Sequence, residues 1–225
     1  MHHLKINKSI SSLWTADAGE GSEQDRRLLA SPIVVGERVF VTDLESKVTA
    51  FDVKTGNRIW YFRPKVPSRD EEAFGGGLAF GNKTVFLSTG YGLVYALAEK
   101  TGELRWKKKL PGPMRAPPSF ADSRVFVVTI DNQLIALDAS NGERLWSHAG
   151  LAEIAGLLGG AAPAVDSNTV VVPYSSGEVF AIRAANGRVA WSEALSPARR
   201  IDALATIAHV RGSPVINRGL VHAIS

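Results

Sequence analysis

The 225-residue sequence has no cysteine. This excludes disulfides, thiol chemistry and cysteine-ligated zinc, and leaves no thiol in this stretch to carry a lipid. No apolar run approaches the ~18–20 residues of a membrane-spanning helix. Histidine is scarce. His2, His3, His148, His209 and His222 form neither an HExxH pattern nor another metal-ligand spacing, so no metal and no cofactor is implied. Gly19 and Gly21 do not complete a GxGxxG, and there is no Walker motif. The "GGG" at 75–77 lies just before a strand-like stretch with no helix start behind it, which suggests a tight loop or bulge rather than a phosphate cradle. Charge of one sign is also limited, with 26 basic against 22 acidic residues and a net charge of +4. The clusters at 26–27, 107–109 and 199–200 read as solvated loop or edge-strand charges, since lysine on an edge blocks sheet-to-sheet pairing. No nucleic-acid partner is expected.

What is present is repetition. "FDVKTGNRIW" at 51–60 returns as "LAEKTGELRW" (97–106), "LDASNGERLW" (137–146) and "IRAANGRVAW" (182–191). The five tryptophans, Trp14, Trp60, Trp106, Trp146 and Trp191, are spaced by 46, 46, 40 and 45 residues. Each of the last four follows a glycine by four positions (Gly56, Gly102, Gly142, Gly187) and an alanine by ten (Ala50, Ala96, Ala136, Ala181). A fixed period of this length marks a repeat architecture.

Each unit reads as four short strands. In the first, residues 32–35, 38–42, 47–52 and 57–62 carry strand patterns, with turn signals between them. Helix signals are few, the best at 201–207. Four strands per ~40–45 residues is the signature of a β-propeller blade. The blades are expected at 31–63, 76–109, 116–148 and 161–194, with a partial one at 212–225. Residues 1–10 are expected to lie outside the fold, disordered or left from a tag.

The alanine, glycine and tryptophan have a packing logic. The TG or NG turn needs a residue at φ > 0, which glycine adopts freely. Asp52 and Asp138 are placed to accept hydrogen bonds from the turn backbone, while Ala98 and Arg183 stand there in the other copies. The tryptophan falls on the outermost strand. Its indole is expected to pack between the alanine methyl and the glycine peptide plane of the next blade, which makes the five tryptophans fasteners rather than a stacking platform for bases or sugars.

The pattern A-x-D-x-x-T-G-x-x-x-W resembles the tryptophan-docking motif of the pyrroloquinoline quinone (PQQ)-type eight-bladed propellers. WD and kelch patterns fit less well, because there is no Trp-Asp pair or blade-opening Gly-His. "LWTADAGEG" (13–21), "GGGLAFGNKTVFLSTGYGLVYALAEKTGELRW" (75–106) and "RRIDALATIAHVRGSPVINRGLVHAIS" (199–225) resemble the BamB family of outer-membrane β-barrel assembly scaffolds. The resemblance implies an all-β, PQQ-like propeller with eight blades in the full protein, about four and a half of them here. It also implies that residues 11–16, with Trp14, supply the outer strand of the closing blade.

For function, the resemblance implies a non-catalytic periplasmic scaffold, peripheral to the outer membrane and lipid-anchored in the full-length protein. Its partners would be the POTRA domains of BamA, other barrel-assembly subunits and unfolded outer-membrane protein strands. Propellers bind through loops on their faces, and the segments at 149–161 and 195–211 are the long, irregular ones. By resemblance, Ile154, Leu157, Leu158, Arg200, His209 and Arg211 are the partner-binding candidates. Leu158 stands where the family commonly has arginine, and His209 and Arg211 stand where it has acids, so the charge pairing is expected to differ. A PQQ-dependent dehydrogenase is the enzyme alternative, but it calls for calcium-binding carboxylates, a catalytic aspartate and usually a vicinal disulfide. A generic propeller binding module is the third reading.

Overall fold

Every repeat unit folds as a four-stranded antiparallel meander. The computed structural model describes residues 11–22, 28–65, 75–151, 160–166, 168–195 and 212–224. The first blade is β1 (Ile33–Val35), β2 (Arg38–Thr42), β3 (Val48–Asp52) and β4 (Arg58–Phe62), paired in that order. The second is β5 (Gly76–Gly81), β6 (Thr84–Thr89), β7 (Leu93–Ala98) and β8 (Leu104–Lys109). The third is β9 (Ser119–Ala121), β10 (Arg124–Val128), β11 (Gln133–Asp138) and β12 (Arg144–Ala149). The fourth is β13 (Ala164–Asp166), β14 (Thr169–Pro173), β15 (Glu178–Arg183) and β16 (Val189–Ala194). A hairpin, β17 (Val215–Asn217) and β18 (Leu220–His222), begins a fifth. The described residues contain no helix, and the fold is an all-β, PQQ-like propeller.

Three strand starts shift by one residue from the expected bounds. Pro32 precedes β1, since it has no N–H to donate to the ladder. Lys47 and Asn57 belong to turns, where their carbonyls accept the Asp43 and Asp52 N–H groups at 3.1 and 2.9 Å. Gly76 and Gly77, expected ahead of the strand, lie inside β5 opposite Thr89 and Ser88. A β-carbon on Gly76 would stand 2.0 Å from the Ser88 carbonyl oxygen, and one on Gly77 2.9 Å from Pro117 of the next blade. These glycines permit close backbone approach rather than forming a loop or bulge. The helix pattern at 201–207 and residues 1–10 lie outside the described residues.

The core lies between the blades, not within any one of them. The innermost strands β1, β5, β9, β13 and β17 stand side by side. The period-2 alternation of β6 and β7 serves two interfaces at once. Val85, Leu87, Tyr95 and Leu97 join Phe40, Val48 and Trp60 of the first blade, while Phe86, Val94 and Ala96 join Val125, Ile135 and Leu137 of the third. Between the third and fourth blades, Phe126 and Leu134 meet Val170, Val172 and Ile182. Fully burying each such side chain contributes about 1.5–3 kcal/mol. β6 is buried along its whole length, with Val85, Phe86 and Leu87 at its centre and hydroxyl residues at its ends. Serine hydroxyls stitch the inner ring: Ser88 donates to the Ala116 carbonyl at 2.9 Å, and Ser119 to that of Pro163.

The tryptophans sit at the outer end of these interfaces. The Trp60 indole lies over Gly102 of the second blade, and its Nε1–H donates to the Glu99 carbonyl at 2.9 Å. Trp106 does the same to Gly142 and Ala139, and Trp146 to Gly187 and Ala184, each at 2.9 Å. Trp14 completes the series on Gly56 and Val53, at 2.8 Å. The glycine therefore belongs to the next blade, while the alanine belongs to the tryptophan's own. Ala50 lies directly across from both Phe40 and Trp60, whose rings are 5.6 Å apart. Only a small side chain leaves them room to meet.

One device recurs in all four outer strands. Ala50 pairs with Trp60 but Phe51 with Arg58, so Ile59 has no partner of its own. The same bulge falls at Arg105, Leu145 and Ala190. A bulge twists its strand and re-aims the adjacent side chain, here the tryptophan that reaches across to the next blade. Residues 11–16, expected as an outer strand, form no strand among the described residues, because no described strand lies beside them to pair. Trp14 docks nonetheless. Trp191, which has no glycine packed against it among the described residues, is 40% exposed.

Candidate functional site

The meander fixes which turns share a face. The turns joining first to second and third to fourth strands point one way. The turns joining second to third strands, and every segment linking one blade to the next, point the other way. The docking turns at 53–56, 99–102, 139–142 and 184–187 therefore lie at the opposite end of the blades from the connecting segments. Fastening and candidate binding surface are separated by the length of a strand.

The docking-turn face is built from local hydrogen bonds. The Asp52 carboxylate accepts the Lys54 and Thr55 N–H groups at 2.9 and 2.7 Å. The Thr55 N–H and hydroxyl are the chief reasons its pKa falls below the ordinary 3.8. At Asp138 the Ser140 hydroxyl and N–H lower the pKa in the same way. These carboxylates hold turns, and lie far from one another along the row of blades.

The connecting face carries the irregular segments. Ile154, Leu157, Leu158, Arg200, His209 and Arg211 all lie outside the described residues, so the structure neither gathers nor separates them. What it does place is the root of each segment. The Gly150 N–H donates to the Asn132 carbonyl at 2.9 Å, and the Asn132 Nδ2 donates to the Leu151 carbonyl at 2.8 Å. At the other end of that segment, Ala161 is buried and the Ala162 N–H donates to Ser213 Oγ at 3.0 Å. The Leu195 N–H that opens the later segment donates to the Gly177 carbonyl at 2.9 Å. Leu151 and Ile130, on this same face, are 65% and 46% exposed.

Beneath the first root is an aromatic cluster. His148 Nδ1 lies 2.8 Å from the Tyr174 hydroxyl, which is 3.2 Å from the His148 carbonyl it donates to. The two rings stack 5.9 Å apart, with Phe180 4.7 Å from His148. Burial pushes His148 below its ordinary 6.5, against the opposing pull of Glu178, and pushes Tyr174 well up. Gly150 runs so close over this cluster that a β-carbon would stand 2.3 Å from Tyr174 Cδ2. His148 is thus a packed interface residue. No group of acids and histidines among the described residues could hold a metal ion. Lys107, Lys108 and Lys109 fall on the outer strand β8.

Sequence reading missed Asn132, Gly150 and Tyr174. The one available signal was departure from the repeat. Where the third blade has Asn132, the others have Ser46, Gly92 and Gly177; where the fourth has Tyr174, the others have Asp43, Thr89 and Thr129.

A family model described as "Outer membrane protein assembly factor BamB" matches residues 8–72 and 64–225. A BamB of Moranella endobia is 28% identical over 86% of this chain and 51% of its own length. One of Bordetella pertussis is 27% identical over 96% of this chain and 53% of its own. An uncharacterized protein of Rickettsia prowazekii is 30% identical over 74% of this chain and 40% of its own. The chain therefore spans about half the length of the curated relatives it matches. Among solved structures, BamB from Moraxella catarrhalis superposes with a TM-score of 0.75 at 20% identity, covering 86% of this chain and 57% of that one. The quinohemoprotein alcohol dehydrogenase of Comamonas testosteroni gives 0.63 at 18%, covering 88% and 39%. At such identities both likenesses are of fold.

Proposed function

The chain belongs to the BamB family of outer-membrane protein assembly factors, and from that premise we propose that it is a non-catalytic periplasmic scaffold. In this reading it acts at the outer membrane, where a lipid anchor on the full-length protein holds it. It recruits the barrel-assembly machinery by binding the POTRA domains of BamA. Residues 11–16 close an eight-bladed ring by adding their strand to its last blade. The contact surface is the connecting face, with Leu157 and Ile154 as apolar anchors and Arg200, His209 and Arg211 as the polar side. The charge lost at Leu158 and the basic residues at His209 and Arg211, where the family has acids, call for a partner surface of correspondingly different sign.

The family match over nearly the whole chain carries this reading. The arrangement of the faces supports it: docking turns occupy one end of the four complete blades, and the roots of the connecting segments lie at the other. A rigid row of blades holds such segments at fixed spacing, which lowers the ordering cost of binding. The test is capture of the full-length protein by an immobilised POTRA array, with Leu157→Asp and Arg211→Glu variants alongside. Weakened capture is expected from both. Undiminished capture by both would sink the assignment of the surface, and no capture of the parent protein would sink the function.

A further inference from the structure

We propose that Asn132 is a positioning residue that clamps the root of the 150–161 connecting segment across the seam between the third and fourth blades, and so sets the partner-binding surface. The proposal rests on the POTRA-binding reading above. It starts from a comparison of equivalent turns. In the last three blades the residue at this turn position offers its backbone carbonyl to the first N–H beyond the outer strand. Gly92 accepts from Leu110 at 2.8 Å, Asn132 from Gly150 at 2.9 Å and Gly177 from Leu195 at 2.9 Å. All three residues have positive φ, at +71°, +59° and +83°. Glycine is the natural occupant of such a conformation, and it is what two of these positions carry.

Asn132 alone adds a side chain there, and every polar atom of that side chain's amide is used. Nδ2 donates to the Leu151 carbonyl at 2.8 Å. Oδ1 accepts the Ser175 N–H at 3.1 Å and the Ser175 hydroxyl at 3.0 Å. One amide thus ties three pieces together: its own turn, the outgoing segment, and the corresponding turn of the fourth blade. The residue is 3% exposed, so these part-buried bonds are shielded from water on the Asn132 side, where an unmade partner is costly. The Leu151 N–H faces Glu178 Oε2 at 3.4 Å, which adds a second tether. The effect is a leucine with a fixed backbone and a 65% exposed side chain. A packing role would bury that side chain; a presenting role leaves it outward.

The blade repeat supplies the clean variant. Asn132→Gly restores the residue of the second and fourth blades, keeps the positive φ and the backbone bond to Gly150, and deletes only the clamp. Asn132→Asp retains the acceptor for Ser175 but loses the donor to Leu151. Each hydrogen bond contributes a net ~0.5–1.5 kcal/mol, so losing one accelerates local opening roughly two- to tenfold.

Three measurements on the full-length protein decide the matter: thermal stability, amide hydrogen exchange at Leu151 and Ser175, and affinity for the POTRA array. Asn132→Gly is expected to lower the melting temperature modestly, speed exchange at both amides, and weaken capture about tenfold, the fold-change of one to two such bonds. Asn132→Asp is expected to speed exchange at Leu151 more than at Ser175. Unchanged exchange in Asn132→Gly overturns the clamp. Faster exchange with undiminished capture makes the clamp structural only and overturns its role in binding. If the parent protein fails to bind the array, the POTRA-binding reading falls and this role falls with it. That outcome differs from a parent that binds and a variant that binds equally.

Discussion

Gly102→Ala should be far more damaging than its one added methyl suggests. Two costs combine. At φ +71° an alanine sits in the left-handed region, at about 1–2 kcal/mol. Its β-carbon would also stand 2.5 Å from Trp60 Cε3. The indole cannot slide away freely, because its Nε1–H is held by the Glu99 carbonyl at 2.9 Å and Phe40 lies 5.6 Å away on the same blade face. Overpacking a well-filled site costs about 1–3 kcal/mol, so the two terms together give about 2–5 kcal/mol. Gly36 is the control. Its φ is +56°, but nothing lies within 4 Å of an added β-carbon, so Gly36→Ala should cost only the backbone term of about 1–2 kcal/mol. Urea unfolding of the full-length protein, compared at a common slope, measures the difference. Equal midpoint shifts for the two variants would refute the docking argument, since only Gly102 faces a neighbouring blade's ring.

Two further outcomes follow from the same geometry. Trp60→Ala, which empties a site where the ring is 8% exposed, should cost roughly 3–5 kcal/mol in the same unfolding assay; a loss under about 1 kcal/mol, the scale of ordinary surface changes, would contradict a fastening role. Asp138→Ala, which installs the residue the second blade carries as Ala98, should destabilise most above pH 3.8, the ordinary aspartate value below which the folded-state pKa lies. A carboxyl with a lowered folded pKa stabilises above its unfolded pKa, and that contribution is lost as pH falls through the folded one. The gap between parent and variant should therefore close on acidification, and a gap that widens would contradict the hydrogen-bond account.

The fastener was legible because it is short-range in sequence and repeated. Ala50, Gly56 and Trp60 fall within eleven residues, and one period exposes all four copies. The bulge beside each tryptophan was not legible. Its extra residue is Ile59, Arg105, Leu145 or Ala190, so no residue type marks it, and only the pairing register reveals it. The blade assignment of the alanine needed the same register, because Ala50 meets Phe40 and Trp60 across strands. The role of "GGG" was hidden for a different reason: what constrains Gly77 is Pro117, forty residues away on the next blade. Asn132 escaped notice because its partners, Leu151 and Ser175, are 19 and 43 residues distant. A residue that breaks the repeat carries no local pattern, and its meaning comes from the seam it bridges.

The central claim is that partner binding and blade fastening occupy opposite faces of this propeller. Hydrogen-exchange footprinting of the full-length protein, free and with a POTRA array bound, tests it most directly. Protection confined to the connecting segments and to the turns around Asn132 and Ser175 is the expected result. Protection at the docking turns 53–56 and 99–102, with the connecting face unchanged, would contradict it.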